Sequence, residues 1–132
     1  MIGHARVLDG DTVEVSGEKV RLHGIDAPER DQVCLKGDVP VACGREATEA
    51  LRDMIDGRSV TCEGSKHDRY GRLIGVCRVD GVDLNGMMAR TGHGVAYRKY
   101  SRDYVGEEAM AKAEKLGLWG SEFMMPWEWR KH

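Results

Sequence analysis

Apolar residues alternate with polar ones through the first part of the chain, and turn formers break the pattern at short intervals. A period of two places successive side chains on opposite faces of an extended segment, so this stretch is restricted to short, half-buried strands. Residues 5–8, 12–15 and 19–22 read as three such strands, joined by Asp9-Gly10-Asp11 and Ser16-Gly17-Glu18. Both connections suit tight reversals. Residues 59–63 and 73–79 predict two further strands flanking Gly64 to Gly71.

Helical spacing appears between and after these runs. Ala47, Ala50, Leu51, Met54 and Ile55 predict a helix over 44–55, with Gly57 placed to end it in a left-handed conformation. A short helix is predicted over 83–91, stopped by Gly92 and Gly94. A longer one is predicted over 104–116, where Met110, Ala113 and Leu116 share a face before Gly117. Residues 31–41 read as a loop. Five strands with interspersed helices predict an α+β fold, a five-stranded Greek-key β-barrel of the OB type with three helices.

A chain of 132 residues supports one core, so one domain over 1–132 is expected, with a core from about 4 to 119 and a tryptophan-rich tail over 120–132. No apolar run is long enough for a membrane span, and no signal-peptide pattern opens the sequence. The formal net charge of -2 lacks the basic excess of a general polyanion binder. Taken alone it argues against a nucleic-acid partner; a bound divalent cation would cancel it.

Cys34, Cys43, Cys62 and Cys77 form two sequence-local pairs without C-x-x-C spacing, which argues against a zinc ribbon or a thioredoxin-type site. Cys34 and Cys43 bracket the 31–41 loop. Cys62 and Cys77 lie on the two strands flanking Gly64 to Gly71, where antiparallel pairing would set them opposite each other. Two disulfides, Cys34–Cys43 and Cys62–Cys77, are therefore predicted out of three connectivities. They imply a periplasmic or secreted protein whose signal peptide is absent from this sequence. Four buried free thiols in a cytosolic protein remain the alternative.

Three segments carry the chemistry: Asp9-Gly10-Asp11-Thr12, Arg21-Leu22-His23-Gly24-Ile25-Asp26-Ala27-Pro28-Glu29, and Asp68-Arg69-Tyr70-Gly71-Arg72. Asp11 and Asp26 fall at the ends of neighbouring strands, where both carboxylates can face one hard cation. Pro28 stiffens the bend that carries Glu29. Arg21 and Arg72 offer planar forks suited to a phosphate. An offset of five between Arg21 and Asp26 opposes them on an ideal strand, so an irregularity near His23-Gly24 is required. Each segment singly also reads as a hairpin turn, a strand exit or a solvated edge.

In combination, order and spacing, these segments resemble the active site of the staphylococcal nuclease (thermonuclease) family. Met87 to Gly94, Val95-Ala96-Tyr97 and Glu114-Lys115-Leu116-Gly117-Leu118-Trp119 extend the resemblance over His4 to Trp119. It implies a Ca²⁺-dependent endonuclease that hydrolyses phosphodiester bonds of DNA, with RNA as a second substrate class, and leaves 3′-phosphate ends. It assigns Asp11, Asp26 and the Ala27 carbonyl to Ca²⁺, Glu29 to the attacking water, and Arg21 and Arg72 to the phosphate. Tyr97 matches a tyrosine of the nucleotide pocket. For its second tyrosine the chain departs from the family: Lys99 stands at the equivalent spacing and Tyr100 one place later. A monomer without membrane association is expected. The Trp127-Glu128-Trp129-Arg130 tail is expected to cap the barrel. The competing reading is a non-catalytic nucleic-acid-binding barrel that retains the fold; the presence of all five charged positions argues against it.

Overall fold

The alternating segments pair as their turns require. In the computed structural model, which describes residues 1–131, a two-residue strand β1 (Ile2–Gly3) precedes an antiparallel meander of β2 (Ala5–Asp9), β3 (Thr12–Val15) and β4 (Glu18–Leu22). Next come β5 (Ile25–Asp26), a hairpin of β6 (Cys34–Lys36) and β7 (Val39–Val41), and α1 (Cys43–Ile55). The second half runs through β8 (Val60–His67), β9 (Leu73–Val79), β10 (Val82–Asp83), α2 (Leu84–Arg90), β11 (Val95–Ala96) and α3 (Val105–Ala113). A 3₁₀ turn (Gly117–Gly120) and a short α4 (Pro126–Trp129) complete the described chain. His132, the last residue of the predicted tail, lies outside the described residues.

The five strands expected from the sequence are β2, β3, β4, β8 and β9. The main sheet is ordered β1-β8-β9-β4-β3-β2, with β10 added to β9. All its pairings are antiparallel except β4 with β9, which run parallel because the hairpin β8–β9 returns to the meander after the α1 crossover. The fold is α+β with an OB-type strand framework. α1 packs against β2, the strand at one end of the sheet order.

Alternation decides the core. Val13, Val15, Val20 and Leu22 turn inward from the meander and meet Leu51 and Ile55 of α1. In β9 the alternation is complete, with Leu73, Gly75, Cys77 and Val79 buried. A second apolar cluster joins Val95, Leu118 and Trp119 to Phe123 and Trp127 of the tail.

Four local expectations are corrected. The 31–41 loop contains the β6–β7 hairpin, whose Leu35 also bridges Glu122. The left-handed end of α1 begins one position early, at Asp56 with φ 48°, and continues into Gly57, which is left-handed as expected at φ 70°. The 104–116 helix stops at Ala113, because Lys115 turns left-handed at φ 55° and Leu116 enters the 3₁₀ turn. The tail adds α4, begun by Pro126 at a position whose N–H needs no helical partner.

Both expected disulfides are present. Cys62 and Cys77 are direct cross-strand partners with Cα atoms 4.1 Å apart, and Cys34–Cys43 ties β6 to the start of α1 at 5.8 Å. No free cysteine remains among the described residues. Replacing Cys62 and Cys77 together by alanine is expected to lower unfolding free energy by about 3 kcal/mol in the chain-entropy account. The denaturant midpoint reads this loss; an unchanged midpoint contradicts it. No described helix is long and apolar enough to cross a membrane.

Candidate active site

The turn before β3 and the exit from β4 meet through one carboxylate. Asp11 Oδ2 accepts the Ala27 N–H at 2.8 Å, while the Asp11 carbonyl accepts the Leu22 N–H at 2.8 Å. Between Leu22 and Ile25 the chain breaks out of β4, and this turn is the irregularity that the Arg21–Asp26 offset demands. Gly24 makes it possible: its φ is 79°, and a Cβ there would lie 2.9 Å from the Tyr104 ring. Asn85, fully buried on α2, donates to the carbonyls of His23 at 2.9 Å and Gly75 at 3.0 Å, which ties this turn to β9. β5 then pairs with β11, Val95 opposite Asp26, and the Tyr97 N–H donates to the Gly24 carbonyl at 3.0 Å. Tyr97 is thereby carried to the acidic residues.

Two guanidiniums enclose those acids. Arg21 Nη2 lies 3.3 Å from Asp11 Oδ2 and 3.2 Å from Asp26 Oδ1, and its Nη1 donates to the carbonyls of Leu22 and Ile25, both at 3.0 Å. Arg130 reaches in from the tail. Its Nη1 donates to Asp26 Oδ1 at 2.9 Å and to Glu29 Oε1 at 2.7 Å. Its Nη2 donates to Asp26 Oδ2 at 3.0 Å and to the Tyr97 hydroxyl at 3.2 Å. Asp11 is 7% exposed and Asp26 0%, so the two carboxylates sit inside the protein surface rather than on an open rim.

Burial and mutual repulsion perturb the acids unequally. Burial pushes Asp26 up to about 6, against the Arg130 hydrogen bonds that lower it, with the Asp11 charge adding to the rise. Asp9, whose Oδ1 accepts the Asp11 N–H at 3.0 Å, is raised to about 7 by burial and by the neighbouring Asp11 charge. Burial opposes ionisation of Asp11 as well, but the Arg21 guanidinium and the surrounding hydrogen bonds outweigh it and hold Asp11 below the usual carboxylate range. The cluster therefore keeps one firmly ionised carboxylate between two that titrate higher.

Arg72 stands apart. Among the described residues no ion pair joins it to Asp11, Asp26 or Glu29; its Nε donates to Asp68 Oδ2 at 2.7 Å. The parallel register sets Val20 opposite Leu73 and Arg21 opposite Ile74. Alternation carried one residue back then puts Arg72 on the face of Arg21, away from buried Val20, Leu22 and Leu73. Tyr97 and Tyr100 meet edge to face at 4.8 Å, and Trp127 stacks on Tyr97 at 5.2 Å with 5° between the ring planes.

Three contributors escape a reading by motif. Arg130 comes from a tail with no obvious chemistry, though Pro126 ahead of two tryptophans signals a helix start. Asp9 hides in a turn motif. Gln32, 1% exposed, accepts the Glu29 N–H at 3.1 Å and donates to the Met124 carbonyl at 2.7 Å, and nothing local in the sequence marks it.

The donor set suits a hard cation. Oxygens of Asp11 and Asp26 already converge on one positively charged nitrogen of Arg21, and those of Asp26 and Glu29 on one of Arg130. Anionic oxygens without thiolate or imidazole favour Ca²⁺ or Mg²⁺ over softer metals. Among the described residues no three His, Cys, Asp or Glu side chains are grouped closely enough to hold an ion by themselves. Backbone oxygen and water would have to complete any shell.

Known proteins resemble this chain over most of its length. Residues 19–121 match the family described as staphylococcal nuclease homologue. The chain is 38% identical over 126 residues to the succinoglycan biosynthesis protein ExoI of Rhizobium meliloti (strain 1021), covering 92% of this chain and 66% of that protein. It is 37% identical over 133 residues to an uncharacterized endonuclease of Escherichia coli O157:H7, covering 95% and 81%. A micrococcal nuclease of Shigella flexneri is 32% identical over 144 residues, covering 96% of this chain and 78% of that one. On the matched span and these relatives, the chain belongs to the staphylococcal nuclease family.

Proposed function

We propose that this protein is a Ca²⁺-dependent endonuclease that hydrolyses DNA, and RNA as a second class, to products with 3′-phosphate ends. The observation that carries the reading is the convergence of buried Asp11 and Asp26 on Arg21, with Glu29 joined to the same cluster through Arg130. Membership of a nuclease family and relatives named as nucleases support a nucleic-acid substrate. Asp11, Asp26 and the Ala27 carbonyl would hold Ca²⁺, which when bound acidifies water and offsets phosphate charge.

The chain's own residues supply the rest. Glu29, on the turn after Pro28, orients the attacking water and takes its proton. Arg21, fixed by two carbonyls and two carboxylates, presents a constant positive charge where the phosphate gains negative charge. Arg72 approaches from the same face of the neighbouring strand. Tyr97 and Tyr100 form an aromatic wall for a nucleotide base. Two disulfides support function in an oxidising compartment, periplasmic or extracellular; the protein acts there as a monomer.

Digestion of plasmid DNA and of RNA, with Ca²⁺ and with chelator, tests the reading. Cleavage should require Ca²⁺, and end-group analysis should find 3′-phosphate. Undiminished cleavage in chelator, or 3′-hydroxyl products, would refute it.

A further inference from the structure

The tail does more than cover the barrel: it places a positive charge on the carboxylates that a cation would need. Arg130 engages both oxygens of Asp26 and one of Glu29. Arg21 already takes Asp26 Oδ1 from its other side. Asp26 is 0% exposed, so with both guanidiniums in place its carboxylate is closed to solvent and both its oxygens are engaged. A divalent cation and the Arg130 guanidinium would have to share the same oxygens at a few ångströms, where like charges repel strongly in a poorly solvated site.

The two arginines differ in how easily they can leave. The Arg21 side chain is 14% exposed and is held by two backbone carbonyls besides its acids; that of Arg130 is 36% exposed. Arg130 caps the end of α4, a four-residue helix held by buried Pro126 and by Trp127 in the second apolar cluster, so its guanidinium lies at the outer edge of that anchorage. Gln32 Nε2 donates to the Met124 carbonyl at 2.7 Å, and Trp129 Nε1 donates to Asp31 Oδ1 at 3.2 Å. Trp127 lies flat on Tyr97, so the same short helix that delivers the guanidinium also covers one face of the site's tyrosine.

We propose that Arg130 is a built-in competitor for the divalent cation: the tail closes the carboxylate site while it is cation-free and is expelled as the cation binds. The proposal rests on the cation-dependent reading above and adds a threshold to it. Cation binding must break the Asp26 and Glu29 pairs, so the apparent affinity is lowered by the population of the closed tail. Release of Arg130 also lifts Trp127 from Tyr97, which couples the metal site to the aromatic wall. By linkage, whatever stabilises the closed tail weakens cation binding to the same degree.

Calorimetric Ca²⁺ titration of the full chain at mildly alkaline pH tests this with the wild type, Arg130→Gln and Trp127→Ala. Trp127→Ala loosens the tail without touching a carboxylate. Arg130→Gln should bind Ca²⁺ about tenfold or more tightly, as expected when a closed state populated in large excess is removed, and Trp127→Ala should shift the same way by less. Tryptophan emission of the wild type should change on Ca²⁺ addition, and that change should disappear in Trp127→Phe. Equal or weaker Ca²⁺ binding by both Arg130→Gln and Trp127→Ala overturns the competition and leaves the metal site standing. Absence of Ca²⁺ binding in every form removes the metal reading and the competition with it.

Discussion

Replacing Arg72 by lysine is expected to lower kcat by about 10²–10³-fold, the scale of losing one preorganised donor to a developing oxyanion, with little change in fold stability. Asp68 explains why a lysine cannot substitute. Its Oδ1 accepts the backbone N–H of Tyr70 at 2.9 Å and of Arg72 at 3.0 Å, while its Oδ2 takes Arg72 Nε at 2.7 Å. Burial opposes ionisation of Asp68, but these donors outweigh it and hold its carboxyl below the usual range. With Nε occupied, Nη1 and Nη2 carry no hydrogen bond among the described residues, and the fork is aimed rather than free to rotate. A phosphate can then receive two parallel hydrogen bonds, whereas an ammonium offers a point charge on a flexible stem. Steady-state and single-turnover rates on a defined oligonucleotide check this. Near-full turnover in Arg72→Lys would reduce Arg72 to a loop-bracing residue.

Gly44→Ala is expected to be the most damaging small substitution, lowering stability by about 2–3 kcal/mol through overpacking against backbone. The Cβ it adds would lie 1.7 Å from the Glu29 carbonyl oxygen, 2.8 Å from the Glu29 carbonyl carbon and 2.9 Å from that of Arg30. All three are main-chain atoms, so no rotamer change relieves the clash. Either the start of α1 retreats or the turn bearing Glu29 shifts. Gln32 transmits the shift further: its carbonyl accepts the Gly44 N–H at 3.2 Å, and its side chain joins the Glu29 N–H to the Met124 carbonyl. On the role proposed for Glu29, a displacement near 1 Å there is expected to lower activity about 10²-fold, since positioning errors of that size cost alignment of the reacting groups. Thermal unfolding and kcat measured together check the prediction. A variant with wild-type midpoint and rate would mean that the turn is slack.

Legibility in the sequence followed the range of the forces involved. Alternation over 12–15 and 19–22 reports which face of a strand is buried, because a period of two is a local property. The Cys62–Cys77 pair could be read for the same reason, as a register between two adjacent strands. The β6–β7 hairpin was not legible, since Val33, Leu35 and Val39 are exposed there and no buried face imposes a period. The end of α3 misled because Leu116 continues the apolar spacing, while the backbone turns at Lys115 to let Leu118 N–H reach the Gly92 carbonyl at 2.9 Å. A partner 26 positions away leaves no trace in local periodicity.

The candidate site divides along the same line. Residue types and their order determined the strand framework, the fixed bend at Pro28 and the set of carboxylates and guanidiniums available, since these depend on backbone preferences and side-chain chemistry acting over a few residues. The tertiary structure alone decided that Asp11 would hold the Ala27 N–H, that Asp26 would lose all contact with solvent, and that Arg130 would cross from the far end of the chain to pair with it. Those outcomes come from burial and charge pairing between segments as much as 104 residues apart. Such pairing depends on which surfaces the packed core brings together, and a one-dimensional pattern does not carry that information.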